Sequence, residues 1–217
     1  MLAQLTERRR RIEAGEASLG WKLGFGVPAA MAKLGIEAPL VGYLLEPARV
    51  EDGGTVSLDG WANPRLEPEI AVHLGADLAP GASREQVEAA IAGIGVAIEL
   101  VDPDPDADDP EAILAADIFQ RHVLLGPLVE GATPSGVSAR ILQDGDEAAA
   151  ADDATAATGD PIDLVGHVAT VVGGSGESIR AGDVVICGSV VPAVAVAAGD
   201  TVEVQLDPLG ALRVNFV

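Results

Sequence analysis

Carboxylates placed inside strand patterns restrict this chain more than any other feature. In "PRLEPEIAVHL", residues 64–74, apolar side chains alternate with others as in a half-buried strand, yet Glu67 and Glu69 stand two apart. Side chains two apart on a strand point the same way, about 6.5–7 Å from each other along the backbone. Thirty residues on, Glu99 interrupts the apolar run "VAIELV" (96–101), a pattern that suits a central strand. Charges on such strands are costly to bury unless a counter-charge meets them.

The rest of the chain favours β structure. Aromatic residues make up only 3%, so Val, Ile, Leu and Ala must build the core, and 26 glycines and 14 prolines punctuate many short elements. With 217 residues, 48% of them apolar, the chain has the size of one domain, 1–217, in which 1–19 form an N-terminal helical segment. Residues 2–14 have helix-forming composition, with Arg8 to Arg11 expected on a solvated turn and Gly15 as the stop. "SLGWKLGFG" predicts a short strand, and "PAAMAKLGI" a short helix with Pro28 in its first turn and Gly35 as its stop. "SREQVEAAIAGIG" predicts the clearest helix: Ser83 caps it, Gln86 completes a capping box, and Val87, Ala90 and Ile91 form its apolar stripe.

"PDPDADDPE" predicts an acidic loop after the Glu99 strand. Strands are expected again in "HVLLGPLV", "SARILQDGDE", "DVVICGS", "TVEVQL" and "LRVNFV", with a helix in "PIDLVGHVATVVGGSG". "GDEAAAADDATAATGD" is read as a polar turn plus a small-residue strand. Strands at both ends with a few helices between them make the predicted fold α+β, with mostly antiparallel pairing.

The formal net charge of −21 argues against nucleic acid or an anionic membrane surface as partner, since both need a basic face. No apolar run reaches the ~18 residues of a membrane span. One cysteine, Cys187, leaves no intrachain disulfide framework. The start, "MLAQLTERRRRIEAGE", has an Arg cluster without the apolar stretch of a secretory signal, so a cytoplasmic location is expected.

Three oxygen-donor carboxylates without His or Cys companions suit a hard cation, Mg²⁺ or Mn²⁺, which would answer the charge of Glu67, Glu69 and Glu99 together. The spacing alone favours the plainer arrangement, an edge strand with Glu67 and Glu69 toward water and Glu99 paired with an arginine, since E-x-E is common. Lys22, one of two lysines against eleven arginines, lies between Trp21 and Leu23 in a glycine-bounded strand. Held near apolar groups, such a lysine transfers protons or grips a substrate carboxylate; otherwise it snorkels to water. His122, beside Arg121 and near Asp117, is a candidate acid/base or substrate contact. His73, His167 and Cys187 read as structural residues.

"GWKLGF", "PRLEPEIAVHL", "AIELVD", "IRAGDVVICGS" and "VAAGDTVEVQLDPLGALRVNF", in this order and spacing, resemble the 2-keto-4-pentenoate hydratase and 2-oxo-3-hexenedioate decarboxylase branch of the fumarylacetoacetate hydrolase superfamily. The resemblance runs from about residue 5 to 217. It implies an irregular β-roll with flanking helices, homo-oligomers, and small 2-oxo or 2-hydroxydienoic acids as substrates. It implies Glu67, Glu69 and Glu99 as ligands of one Mg²⁺ or Mn²⁺, with Lys22 as the proton-transfer or carboxylate-binding residue. Asp117 matches a family position and is expected, with Lys22 and His122, to be catalytic, whereas Ile118 and Phe119 replace small polar neighbours and Arg121 and His122 are additions, Arg121 as a substrate grip. "GFGV" (24–27) stands where relatives have a "GLTS"-like stretch, removing hydroxyls from near the substrate. Hydration of a 2-hydroxydienoate is the activity expected first. Hydrolysis or decarboxylation of acyl pyruvates or 2-oxo-hexenedioates is the alternative, and a silent acid-binding homologue is a third.

Overall fold

Thirteen strands and five α-helices follow one another along residues 2–217, the part of the chain described by the computed structural model. In chain order they are α1 (Leu2–Glu13), β1 (Ser18–Gly24), α2 (Pro28–Leu34), β2 (Leu40–Leu45), β3 (Thr55–Val56), β4 (Arg65–Leu74), α3 (Arg84–Ala90) and β5 (Ile91–Val101). Then come α4 (Pro110–Ala115), β6 (Gln120–Leu125), β7 (Val129–Glu130), β8 (Ser138–Gln143), β9 (Asp146–Ala151) and α5 (Pro161–Gly173). Strands β10 (Val184–Ser189), β11 (Val194–Ala195), β12 (Thr201–Asp207) and β13 (Gly210–Phe216) close the chain.

The strands form two sheets. The larger has the order β2-β1-β10-β4-β5-β6, with β11 beside β4 and β7 beside β5; the smaller has the order β3-β13-β12-β8-β9. All pairs are antiparallel except β1 with β10 and β3 with β13. Alternating side chains of the smaller sheet, Val202, Val204, Leu206, Leu212 and Val214, join Leu66, Ile70, Ile98 and Leu100 of β4 and β5 in the main core. Each such side chain contributes about 1.5–3 kcal/mol by leaving water. The other face of the larger sheet is also covered, with Leu44, Ala71, Ala97, Val123 and Ile186 forming a second apolar cluster. β4 is therefore neither half-buried nor an edge strand: it lies between β10 and β5 with both faces covered.

Local rules account for most helix boundaries. α3 begins with a capping box, in which Gln86 N–H donates to Ser83 Oγ (3.4 Å) and Ser83 N–H donates to Gln86 Oε1 (2.8 Å). It ends at Ala90, so Ile91 is not part of the helical stripe but opens β5, whose run of β-branched residues overrides the helical period. Gly35 stops α2 in the left-handed conformation. The acidic stretch after β5 is not all loop, because Asp109 accepts from Glu111 N–H at 3.0 Å and caps α4. The low-complexity stretch contains β9.

The solvated turn expected at Arg8 to Arg11 needs correcting at Arg8. Its guanidinium lies 4.4 Å from the Trp21 ring centroid, pairs with Glu177 at 2.8 Å and donates to Ser18 Oγ at 3.0 Å, tying α1 to the larger sheet. No helix among the described residues is long and apolar enough to cross a membrane.

Candidate metal centre

Strand register brings the three glutamates together. In the β4–β5 pair Glu67 lies directly opposite Glu99, and Glu69 opposite Ala97. Opposite residues on an antiparallel pair share a face with Cβ atoms about 4.5–5.5 Å apart. One carboxylate oxygen from each of Glu67, Glu69 and Glu99 lies within 4.8 Å of the others. Glu69 and Glu99 are 0% and 1% exposed, so water does little to screen them.

Lys22 joins them from β1. Trp21 and Leu23 turn into the main core, which turns Lys22 to the opposite face, beside Ile186 of β10. The lysine is 1% exposed and does not snorkel to water. Its Nζ forms an ion pair with Glu99 Oε1 and donates to Ile118 O at 3.4 Å. Glu99 is thus paired with a lysine and not with an arginine.

The donor set fits a divalent cation. Three carboxylates against one ammonium leave two negative charges in a site where Glu69, Glu99 and Lys22 are buried. Glu69 Oε2 accepts from Gly188 N–H at 2.6 Å, but Glu69 Oε1 is buried without a hydrogen-bond partner. Gly188 supplies its N–H from φ +91°, where β10 slips register against β4 between Ile186 and Ser189. Oxygen-only ligands of this charge are those of a hard ion.

Burial dominates the titration of the metal-free cluster. It raises the Glu69 carboxyl well above its ordinary value, assisted by the charges of Glu99 and Glu67, and it raises Glu67 against the pull of Lys22. Glu99 is pushed up to about 7 by burial, with Lys22 opposing. For Lys22, burial works against the charge but is outweighed by Glu99 and Asp117, so the ammonium is held above its usual range.

Asp117 reaches the site through an unusual backbone. Asp117, Ile118 and Phe119 all have positive φ (49°, 54° and 63°), a left-handed turn costing about 1–3 kcal/mol per residue that persists only where its surroundings fix it. The turn aims Ile118 O at Lys22, while Asp117 Oδ1 accepts from Gln4 Nε2 at 2.7 Å and Tyr43 N–H at 3.0 Å. Burial lifts the Asp117 carboxyl to about 6, with Lys22 opposing. Gly42 makes room for this arrangement: a Cβ there would stand 2.7 Å from Lys22 Cγ and 2.9 Å from Asp117 Oδ1.

Lys22, Glu67 and Glu99 line a cavity of about 680 Å³. Arg121 and His122 do not. Val123 is the β6 residue that faces Glu99, and β alternation turns His122 the other way, opposite Leu100. There its ring stacks on Trp61 with centroids 6.0 Å apart. Arg121 pairs with Asp102 at 2.9 Å and lies over the same Trp61 ring. His167 Nε2 hydrogen-bonds Pro39 O at 3.0 Å, and Cys187 is buried with its thiol pushed well up by that burial. Sequence reasoning missed Gly188 as a donor to Glu69, the Ile118 carbonyl beside Lys22, and the hydroxyls of Thr158 and Ser189 on the cavity wall. The glycine in "VVICGS", interrupting a strand beside the E-x-E strand, was the one available signal.

Residues 25–217 match the family described as Fumarylacetoacetate (FAA) hydrolase C-terminal. The chain belongs to the fumarylacetoacetate hydrolase family. Within it, 4-oxalocrotonate decarboxylase of Pseudomonas putida is 30% identical over 217 residues, covering 97% of this chain and 81% of that protein. The 2-hydroxyhexa-2,4-dienoate hydratase of Comamonas testosteroni is 30% identical over 218 residues, covering 96% and 81%. Among solved structures of the family, 4-oxalocrotonate decarboxylase from Pseudomonas putida G7, complexed with magnesium and adipate, superposes with a TM-score of 0.91. It is 28% identical and covers 99% of this chain and 83% of that one.

Proposed function

We propose that this member of the fumarylacetoacetate hydrolase family is a divalent-metal-dependent lyase that hydrates a small 2-hydroxydienoic acid to a 4-hydroxy-2-oxo acid. The observation that carries the reading is the cluster of Glu67, Glu69 and Glu99 beside a buried Lys22 on a cavity of about 680 Å³. Magnesium in a relative's structure and hydratases among the relatives at about 30% identity support it.

Glu67, Glu69 and Glu99 would hold the ion, Mg²⁺ or Mn²⁺. Bound there, it would supply Lewis acidity toward the carboxylate and adjacent oxygen of the substrate, favouring the enolate form on which hydration depends. Lys22, kept cationic by Glu99 and Asp117, presents Nζ as donor to the substrate carboxylate or as carrier of the proton in transit. In the overall reaction, hydroxide is added to the fourth carbon of the dienoate. The water proton and the 2-hydroxyl proton end on the third and fifth carbons. Asp117 positions Lys22, from the side opened by Gly42. Arg121 and His122 take no part in this reading. A homo-oligomeric assembly is proposed with it on the family resemblance, and a cytoplasmic location on the Arg-rich start without the apolar stretch of a secretory signal.

Decarboxylation of a 2-oxo acid is the second reading, favoured by the close superposition on 4-oxalocrotonate decarboxylase. Consumption of 2-hydroxypenta-2,4-dienoate by the Mg²⁺-loaded protein, and its loss in Glu67→Ala, tests the first. Retained turnover in that variant contradicts the metal-site assignment, and carbon dioxide release from 2-oxo-hexenedioate without dienoate hydration selects the second reading.

A further inference from the structure

Charge is distributed unevenly around the cavity. Among the described lining residues Lys22 is the one cationic side chain, and it stands with the glutamates. A separate part of the wall comes from β9 and the loop after it, residues 150–158, where Ala150, Ala151, Ala156, Ala157 and the neutral Thr158 line the cavity and Asp153 presents the only charge. Asp153 Oδ1 accepts from Thr155 N–H at 2.8 Å and Thr155 Oγ1 at 2.7 Å, and these bonds hold its carboxyl below the usual range. Ser189 Oγ is already committed as donor to Val191 O at 2.6 Å.

We propose that this wall makes the site select acids whose far end is uncharged and apolar, and reject those that end in a second carboxylate. The inference rests on the reading of the site as one for 2-oxo or 2-hydroxydienoic acids, with the head group at the glutamates and Lys22. A second carboxylate on the substrate chain would meet no cation on this wall, and the exposed carboxylate of Asp153 would repel it. The chain's net charge of −21 supplies no compensating field. The decarboxylase relative, by contrast, was solved with adipate, which carries a carboxylate at each end. Specificity of this kind comes from what the pocket refuses as much as from what it holds.

Calorimetric titration of the Mg²⁺-loaded protein with 2-oxohexanoate and with 2-oxoadipate, a pair differing by the terminal carboxylate, tests this directly. The monoacid is expected to bind at least about 10-fold more tightly, since the diacid places an unpaired charge in the cavity. Asp153→Lys is expected to reverse or close the gap, and Asp153→Asn, which keeps an acceptor for Thr155, to narrow it. Equal or tighter binding of the diacid by the wild type overturns the proposal, and a ratio unmoved in both variants removes Asp153 from it. If Mg²⁺ binds but neither acid does, the 2-oxo acid reading itself fails and this inference falls with it.

Discussion

Lys22 of β1 and Glu99 of β5 form an ion pair buried on one face of the larger sheet, Nζ against Oε1, in a cluster with two further carboxylates. The same carboxylate that neutralises the lysine is one of the three oxygen donors proposed for the cation. An ammonium and a divalent ion therefore share Glu99, and removing either changes the charge the other must balance.

Removing the lysine exposes that coupling. In Lys22→Met the metal-free protein keeps Glu99 buried without its partner, and urea unfolding is expected to show a loss of about 3–5 kcal/mol. Mg²⁺ is expected to return part of this stability while dienoate turnover stays at least about 100-fold down, because the donor at the substrate carboxylate is gone. Turnover near wild type in this variant would remove Lys22 from the chemistry.

Glu69→Gln tests the least exposed ligand. The variant keeps an acceptor for Gly188 N–H but loses the anionic charge of the unpartnered Oε1. Mn²⁺ affinity, followed by the paramagnetic resonance of the free ion, is expected to weaken at least about 100-fold with the fold retained, as loss of one carboxylate from a hard-cation site implies. Unchanged affinity would place the ion elsewhere.

Burial makes the metal-free protein sensitive to pH in a defined direction. Glu99 and Asp117 are pushed up to about 7 and about 6 from ordinary values of 4.5 and 3.8. A carboxyl raised on folding contributes stability below its unfolded value and loses it as pH rises through the folded value, here from about pH 4 to about pH 7. The ion binds the ionised forms, so the Mg²⁺-induced rise in Tm is expected to be larger at about pH 8 than at about pH 5. Thermal scans with Mg²⁺ and with chelator at both values check this, and an equal rise at both would contradict it.

Gly42→Ala probes positioning. The added methyl meets Lys22 Cγ at 2.7 Å and Asp117 Oδ1 at 2.9 Å, so the lysine has to shift. Displacement of about 1 Å at a reacting group costs on the order of 100-fold in rate. The fall is expected in kcat, with Mg²⁺ affinity within about threefold of wild type, and an unaltered kcat would show that the Lys22 geometry is not limiting.

Much of this arrangement is legible in the sequence. Spacing of two puts Glu67 and Glu69 on one face and an apolar run marks Glu99 as central, whereas Trp21 and Leu23 on the opposite face leave Lys22 open between burial and water until the covering of the second sheet face decides it. Register is not legible: nothing local dictates that Glu67 faces Glu99 across β4 and β5, because pairing depends on how the whole sheet packs. His122 misled for the same reason, since one step along β6 separates the face of Glu99, held by Val123, from the Trp61 face, while Arg121 falls at the register shift of the β5–β6 pair and is drawn to Asp102. The left-handed turn at Asp117–Phe119 is beyond local pattern altogether, because no sequence preference places isoleucine at positive φ. At Ile91, local helix period and strand composition conflict, and tertiary pairing in β5 decides.

A crystal structure of the protein loaded with Mn²⁺, with anomalous scattering recorded to locate the ion, tests the central claim most directly. The account predicts one peak with carboxylate oxygens of Glu67, Glu69 and Glu99 all about 2.0–2.2 Å from it, the range for small hard divalent ions. No peak among these three residues, or an ion that leaves any of them out of reach, would contradict it.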